Sequence, residues 1–213
     1  MKKRIFIIVI FIIISVILVA LLYFFNTIPH KQYYNIETYI SSVDKDNDGI
    51  DDQTDILNNV RTYIAKKPKY KSKYYETGYP DDEYGVCTDV VANGLKDAGY
   101  DLKELVNEDI INNKEKYNIE VIDKNIDFRR VRNLDVYLKN NSISLTKDLS
   151  QIEEWQGGDI IVFKDHIGII SDKRNKKGIP FLIHHANPIQ VNYEEDVLEL
   201  YGQDYIIGHY RIS

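Results

Sequence analysis

Apolar residues follow three different patterns along this chain of 213 residues. The first is an uninterrupted run from Ile5 to Phe25, which holds no charged residue and only Ser15 as a polar one. At ~1.5 Å per residue a helix of this length spans the ~30 Å hydrocarbon core of a bilayer, and no small-residue cleavage site follows it. The pattern predicts an uncleaved transmembrane anchor over residues 1–25, followed by a linker over residues 26–43.

The basic residues before that run predict which side of the membrane each end of the anchor faces. Lys2, Lys3 and Arg4 precede the apolar segment, and positive residues favour the cytoplasmic side. We therefore expect a single-pass protein of the cell membrane, bound to the membrane through this helix. Its amino terminus would be cytoplasmic, and residues 44–213 would form one extracellular domain.

The second pattern is the 3-4 spacing of amphipathic helices. It occurs from Ile56 to Ala65, which ends before Pro68, and again from Cys87 to Ala98, where Gly99 is a candidate helix cap. In the second segment the cysteine falls on the apolar face. Cys87 is therefore predicted at the start of a helix and on its packed side.

The third pattern is a set of β-branched and aromatic runs. They extend from Asp159 to Lys164, His166 to Ser171, Pro180 to Ala186 and Tyr205 to Ile212, with polar segments between them. Short connections favour antiparallel pairing. We expect an α+β fold in which the Cys87 helix packs on an antiparallel sheet.

The composition limits the binding partners and the covalent bonds that the protein can have. The formal net charge is −6, which argues against binding of nucleic acid, and the single cysteine excludes an intrachain disulfide. Unpaired N–H groups at a helix start favour a thiolate, so Cys87 is a candidate nucleophile. The alternative is a small buried apolar side chain, which is the usual fate of a free cysteine.

Histidines supply the base that a cysteine nucleophile needs, together with a third group that orients it. His166 opens the second strand, and on the third strand His185 shares a face with Ile183 whereas His184 points the other way. A slip of one residue would exchange the two neighbours. A Cys-His-His zinc site is less favoured, because structural zinc requires four protein ligands.

A calcium-type loop precedes the first amphipathic helix. Positions 1, 3, 5, 9 and 12 of residues 44–55 are acidic, position 6 is Gly49, and position 7 would offer a backbone carbonyl. The predicted ligands of a structural Ca²⁺ are Asp44, Asp46, Asp48, Ile50, Asp52 and Asp55. Aspartate at position 12 leaves the choice between Ca²⁺ and Mg²⁺ open, and a solvated acidic loop that caps the helix is the alternative.

A basic cluster lies between the cysteine and the sheet. Arg129 and Arg130 are candidates for binding a substrate carboxylate, because guanidinium groups match it with two hydrogen bonds. The alternative is a set of surface ion pairs with Asp127.

Several motifs together resemble a known superfamily. Residues 157–163 (GGDIIVF), 166–170 (HIGII) and 183–186 (IHHA) resemble the core of NlpC-type papain-like cysteine peptidases and amidases of bacterial cell walls. Residues 85–91 (GVCTDVV) and 208–211 (GHYR) resemble an uncharacterised branch of it. The similarity covers residues 44–213, although the common CSG signature is absent.

The resemblance implies a papain-like fold, with Cys87 as nucleophile, His166 as general base and acid, and His185 as the orienting residue. It also implies that Tyr75 contributes to the oxyanion site. The expected function is hydrolysis of amide bonds in peptidoglycan stem peptides, with no catalytic cofactor. The alternatives are a catalytically idle, calcium-dependent binding module at the cell surface and an acyltransferase on the same fold.

Overall fold

The structure, a computed structural model, describes the backbone of residues 2–27 and 35–212, and the side chains of residues 6–22 and 35–212. The described helices are α1 (Lys2–Thr27), α2 (Asp52–Ala65), α3 (Cys87–Asp97), α4 (Leu102–Asn112), α5 (Lys124–Asp127), α6 (Val131–Asn141) and α7 (Leu198–Tyr201). The described strands are β1 (Lys69–Tyr70), β2 (Tyr84–Gly85), β3 (Ile143–Ser144), β4 (Ile160–Phe163), β5 (Ile167–Arg174), β6 (Pro180–Ile183), β7 (Glu194–Glu195) and β8 (Ile206–Arg211).

The amino-terminal helix requires a correction. In the described part of the chain, no helix meets the length and apolarity needed to cross a membrane. The predicted transmembrane anchor over residues 1–25, and the single-pass localisation derived from it, are therefore not supported.

The predicted linker, residues 26–43, is only partly described, because residues 28–34 lie outside the described ranges. Its second half lies against the rest of the protein. The Tyr39 N–H donates to Gln156 Oε1 at 3.1 Å, and the Arg211 guanidinium lies 4.2 Å from the centre of the Tyr39 ring. Ser41 is buried. Residues 39–41 therefore belong to the packed unit.

An antiparallel sheet of six strands forms the centre of the fold. Its order is β3-β8-β4-β5-β6-β7, and every described pair of neighbours in it is antiparallel. Strands β1 and β2 form a separate parallel pair that leads into α3. The mixed α/β character and the antiparallel sheet predicted from the sequence are confirmed.

Apolar residues cover both faces of this sheet. One face, with Ile167, Ile169 and Ile183, packs on α3, whose Val90 and Leu95 are fully buried. The other face forms a second cluster around Trp155. Because both faces are buried, β4, β5 and β6 read as nearly continuous apolar runs instead of alternating ones.

Capping residues determine where helices α2 and α3 begin and end. Helix α2 starts at Asp52, earlier than the apolar spacing predicts, because Asp51 Oδ1 accepts the Thr54 N–H at 3.2 Å. Helix α3 starts at Cys87, as predicted. Gly99 has a φ of +84°, the left-handed conformation expected for its role beyond the end of α3.

Candidate active site

Cys87 is the first residue of α3. The chain segment just before it packs closely against a neighbouring side chain. A Cβ on Gly85 would lie 2.3 Å from the hydroxyl oxygen of Tyr63, so no other residue fits there without displacing the tyrosine. Val86 is extended and serves as the N-cap residue. The Cys87 side chain is half-buried and packs against the cluster between α3 and the sheet.

The thiol is neutral in this resting arrangement. Burial raises the pKa of Cys87 to about 11, while backbone N–H groups of Ile167 and Thr88 act in the opposite direction by donating to the sulfur. The negative charge of Asp89 raises the pKa further. Ionisation of Cys87 therefore requires a base, and its sulfur lies beside the backbone of Ile167, the residue that follows His166.

A chain of hydrogen bonds runs outward from His166. Its Nε2 lies 2.8 Å from His184 Nδ1, and His184 Nε2 lies 3.2 Å from Glu195 Oε2. Burial, followed by the charges of His184 and His185, lowers the pKa of His166 to about 3. His166 is therefore a neutral imidazole, the form in which it can accept a proton.

Strand register places His184 beside His166, where His185 was predicted. Ile169 pairs with Ile183, so Gly168 lies opposite His184, and a Cβ on Gly168 would be 3.2 Å from that of His184. Residues two apart share a face, so His166 lies on the face of Gly168 and His184. His185 lies on the other face.

His185 is buried between two tyrosine rings. Its centroid lies 5.1 Å from that of Tyr70 and 5.0 Å from that of Tyr193, both with edge contacts. Its Nδ1 has no hydrogen-bond partner among the described residues. Burial, together with the charge of His184, lowers its pKa. His185 is therefore a neutral, buried residue that packs against two tyrosine rings.

Tyr201, at the end of α7, lies at the site although no sequence pattern indicated it. Its ring centroid lies 6.1 Å from that of His166 and 6.2 Å from that of His184. Burial raises its pKa, and the charges of Glu195 and Cys87 act in the same direction. Tyr201 thus lies near the cysteine and near the two histidines, although it is distant from all three in sequence.

Arg129 does not face a substrate cleft. Its Nε donates to Asp89 Oδ1 at 2.7 Å and its Nη2 to Asp89 Oδ2 at 2.9 Å, and only 2% of the arginine side chain is exposed. Nη1 donates to the Lys73 carbonyl at 2.6 Å. The predicted role in binding a substrate carboxylate is therefore corrected: the carboxylate that Arg129 binds is internal.

The other two predicted substrate residues are also engaged within the protein. Arg130 Nη1 donates to Asp127 Oδ1 at 3.0 Å, which is the surface ion pair weighed as the alternative. The Tyr75 hydroxyl donates to Asp82 Oδ1 at 2.7 Å, and burial together with this bond raises its pKa. Tyr75 is buried, so its hydroxyl is not free to contribute to an oxyanion site here.

The acidic loop brings three of the predicted metal ligands together. Ligand oxygens of Asp44, Asp46 and Asp48 lie within 4.8 Å of one another, the single such group of His, Cys, Asp and Glu in the described ranges. Among the described residues, neither His184 nor His185 forms such a group with Cys87 and His166, so the zinc alternative gains no support. Calcium binding by the loop stays a prediction.

Two further predicted carboxylates, Asp52 and Asp55, lie outside this group of three. Asp52 is buried; it accepts the Lys45 N–H at 2.7 Å and the hydroxyl of Tyr100. Asp55 is buried in the first turn of α2, and burial, then repulsion from Asp48 and Asp46, raises its pKa to about 6. The Ile50 N–H donates to Asp48 Oδ1 at 2.8 Å. The structure thus groups three of the five predicted carboxylate ligands.

The GHYR segment forms a second polar cluster, which supports the sheet. His209 Nε2 lies 3.0 Å from Asp159 Oδ2, and Arg211 donates to both oxygens of Asp159 at 2.7 and 2.8 Å. The His209 ring stacks on Trp155 with centroids 3.9 Å apart. His209 therefore contributes to the polar cluster that supports the sheet.

Comparison with known proteins gives the family. Residues 57–212 match the model of the "Domain of unknown function (DUF1287)". The "Uncharacterized protein YijF" of Escherichia coli (strain K12) is 32% identical over 169 residues, which cover 73% of this chain and 80% of that protein. No solved structure matches the chain. Since the matched region holds the cysteine, both site histidines and the whole six-stranded sheet, the chain belongs to the DUF1287 family.

Proposed function

We propose that this protein is a cysteine-dependent hydrolase of amide bonds. The observation that carries the proposal is the position of the single cysteine, whose sulfur lies beside the backbone of Ile167, next in sequence to the hydrogen-bonded imidazole of His166. Cys87 starts a helix beside the Ile167 backbone, and the preceding residue, His166, is held by His184. A nucleophile, a base and a group that orients the base are the parts that acyl transfer requires.

The first half of the reaction transfers the acyl group to sulfur. His166 takes the proton from the Cys87 thiol as Sγ attacks the carbonyl carbon of the substrate. The tetrahedral adduct collapses as His166 returns that proton to the departing amine nitrogen, the C–N bond breaks and a thioester remains. Backbone N–H groups that donate to the sulfur stabilise the thiolate that forms when the proton leaves.

The second half regenerates the enzyme. A water molecule loses a proton to His166 and attacks the thioester carbonyl carbon. The C–S bond breaks, the carboxylic acid product leaves, and the proton returns to Cys87 Sγ. The His166 imidazole, which accepts the proton in both halves of this cycle, is neutral at rest, in accord with its low pKa.

For the substrate we propose the stem peptides of peptidoglycan. This step rests on the motifs in residues 157–163, 166–170 and 183–186 that resemble those of cell-wall cysteine peptidases. The arginines predicted to bind substrate carboxylates are engaged with Asp89 and Asp127, so they add no support. The substrate proposal thus depends on resemblance, whereas the nucleophile proposal depends on geometry.

One observation favours a non-catalytic protein. A pKa of about 11 leaves the Cys87 thiol protonated near neutral pH, as in a cysteine that only packs. In that case the protein would be a binding module. The two proposals differ in what happens to the thiol and to the substrate.

The test incubates the full-length protein with intact peptidoglycan in ¹⁸O-labelled water and identifies released fragments by mass spectrometry. We expect fragments with one new ¹⁸O-labelled carboxylate. Cys87→Ser and His166→Ala should each abolish release, and the double variant should be no worse, because the residues act as a unit. Thermal melts of each variant control for folding.

The outcomes separate the candidates. Release that persists in Cys87→Ser would refute the nucleophile. Peptidoglycan binding with no fragment release by the wild type would favour the binding module. Fragments that carry a new amide in place of the labelled carboxylate would show acyl transfer to an amine on the same site.

A further inference from the structure

Glu195 extends the imidazole chain by one residue. It lies on β7, where it pairs with Leu182 of β6, and its Oε2 is 3.2 Å from His184 Nε2. The glutamate side chain is 28% exposed, whereas the His184 side chain is 2% exposed. The carboxylate therefore reaches inward from the rim to a buried imidazole.

Gln190 holds this carboxylate in place. Its Oε1 accepts the Ala186 N–H at 2.6 Å, which identifies the oxygen end of the amide, because a backbone N–H can only donate. Its Nε2 then donates to Glu195 Oε2 at 3.1 Å and to the His184 carbonyl at 3.3 Å. A single amide thus ties Glu195 to the chain segment that carries His184.

These contacts determine where the protons lie along the chain. An ionised carboxylate only accepts hydrogen bonds, so His184 Nε2 must carry the hydrogen that points at Glu195. His184 Nδ1 then has the lone pair and accepts from His166 Nε2. With its hydrogen on Nε2, His166 presents a lone pair on Nδ1, the nitrogen left to accept a proton from the cysteine.

We propose that Glu195 is a positioning residue that fixes the tautomers of His184 and His166, so that His166 offers an unprotonated Nδ1 to Cys87. The proposal deepens the proposed function and rests on it for the role of the thiol. If the hydrogen bonds ran the other way, His184 Nδ1 would donate to His166 Nε2. His166 would then be protonated on Nδ1 and unable to act as the base.

Three substitutions test the proposal in the full-length chain. Glu195→Leu removes the acceptor, and Glu195→Gln removes the charge but keeps an oxygen where Gln190 donates. Glu194→Gln is the matched control, because the adjacent Glu194 binds Arg61 at 2.8 Å and Lys173 at 2.6 Å instead of a histidine. Thermal melts establish that each variant is folded.

The first measurement does not depend on activity. Nitrogen-15 NMR of histidine-labelled protein distinguishes protonated from unprotonated ring nitrogens, with assignments from His166→Ala and His184→Ala. We expect Nε2–H tautomers at both residues in the wild type, in Glu195→Gln and in Glu194→Gln. In Glu195→Leu the two residues should lose this fixed state and populate both tautomers.

The second measurement is the rate of iodoacetamide alkylation, which reports on one thiol because Cys87 is the single cysteine. We expect Glu195→Leu to slow alkylation and hydrolysis by about 100-fold, the lower end of what a positioned base contributes. Glu195→Gln should slow both by about 10-fold, the difference between a charged and a neutral acceptor. The control should match the wild type.

Unchanged tautomers and rates in folded Glu195→Leu would overturn the proposal, and so would tautomers in the wild type with the hydrogen on Nδ1. Unchanged tautomers in Glu195→Leu would overturn it even if hydrolysis fell. If the wild type hydrolyses nothing while Glu195→Leu alters the tautomers, the proposed hydrolase fails but the positioning by Glu195 stands.

Discussion

The buried ion pair between Asp89 and Arg129 yields the sharpest prediction on stability. Both side chains are essentially inaccessible, with 0% and 2% exposed, and two parallel hydrogen bonds join them. Asp89 also accepts the Val86 N–H at 2.8 Å and so caps the helix that begins with Cys87. Removal of one partner leaves the other charge buried without compensation.

The magnitude follows from these contacts. Loss of one partner of a buried pair costs ~3–5 kcal/mol of unfolding free energy, and loss of a helix cap costs ~1 kcal/mol. We expect Arg129→Met to cost about 3 kcal/mol and Asp89→Ala, which also loses the cap, about 4 kcal/mol. In a chain of this length, each kcal/mol lowers the melting temperature by ~2–4 °C.

The assay is urea unfolding of the full-length protein, followed by the fluorescence of the single, fully buried Trp155. Arg130→Met is the matched control, because Arg130 makes a half-exposed pair with Asp127 and should cost less than ~1 kcal/mol. The double variant of Asp89→Ala with Arg129→Met should cost less than the sum of the single variants by about 2 kcal/mol, since no charge is left unpaired.

Three results would refute this reasoning. If Arg129→Met lowers the free energy of unfolding no more than the Arg130→Met control does, the ion pair does not stabilise the fold. Strict additivity in the double variant would show that the two side chains act independently. A raised KM with unchanged stability would return Arg129 to the substrate-binding role that the structure argues against.

Three further predictions concern the histidines and the acidic loop. His184→Ala should lower hydrolysis by about 100-fold, measured as release of peptidoglycan fragments, whereas His185→Ala should chiefly lower the melting temperature. The unfolded pKa of His166, 6.5, exceeds its folded pKa of about 3, so the unfolded state binds more protons between these values. Stability should therefore fall as pH drops from 6.5 to 3, by at most roughly 5 kcal/mol, and less in His166→Ala. Calcium should raise the melting temperature, and Asp48→Ala should abolish that response.

Each of these three predictions has an outcome that would contradict it. Greater loss of activity in His185→Ala than in His184→Ala would mean that the strand register differs from the one described. An acid-unfolding curve unaltered by His166→Ala would show that this imidazole is not held neutral. Melting curves that coincide in chelator and in millimolar calcium would leave the loop as a solvated acidic cap.

The sequence alone determined the local elements and pointed to the candidate site residues. Cys87 at a helix start, Gly99 beyond its end and the antiparallel strands all follow from spacing and turn chemistry, which act over a few residues. The acidic loop was likewise visible as a periodic set of aspartates. Such features depend on neighbours in the chain, so a linear pattern is enough to predict them.

Only the tertiary structure decided which of these residues meet. Alternation along β6 correctly separated His184 from His185, but the sheet is buried on both faces, so hydrophobicity could not show which face holds His166. Arg129 was visible as a charge, but its partner Asp89 lies 40 positions away. Glu195 and Tyr201 reach the histidines only because β7 and α7 fold back over β6. Contacts between residues far apart in sequence leave no local periodicity, and these contacts determine which residues lie beside one another at the candidate site.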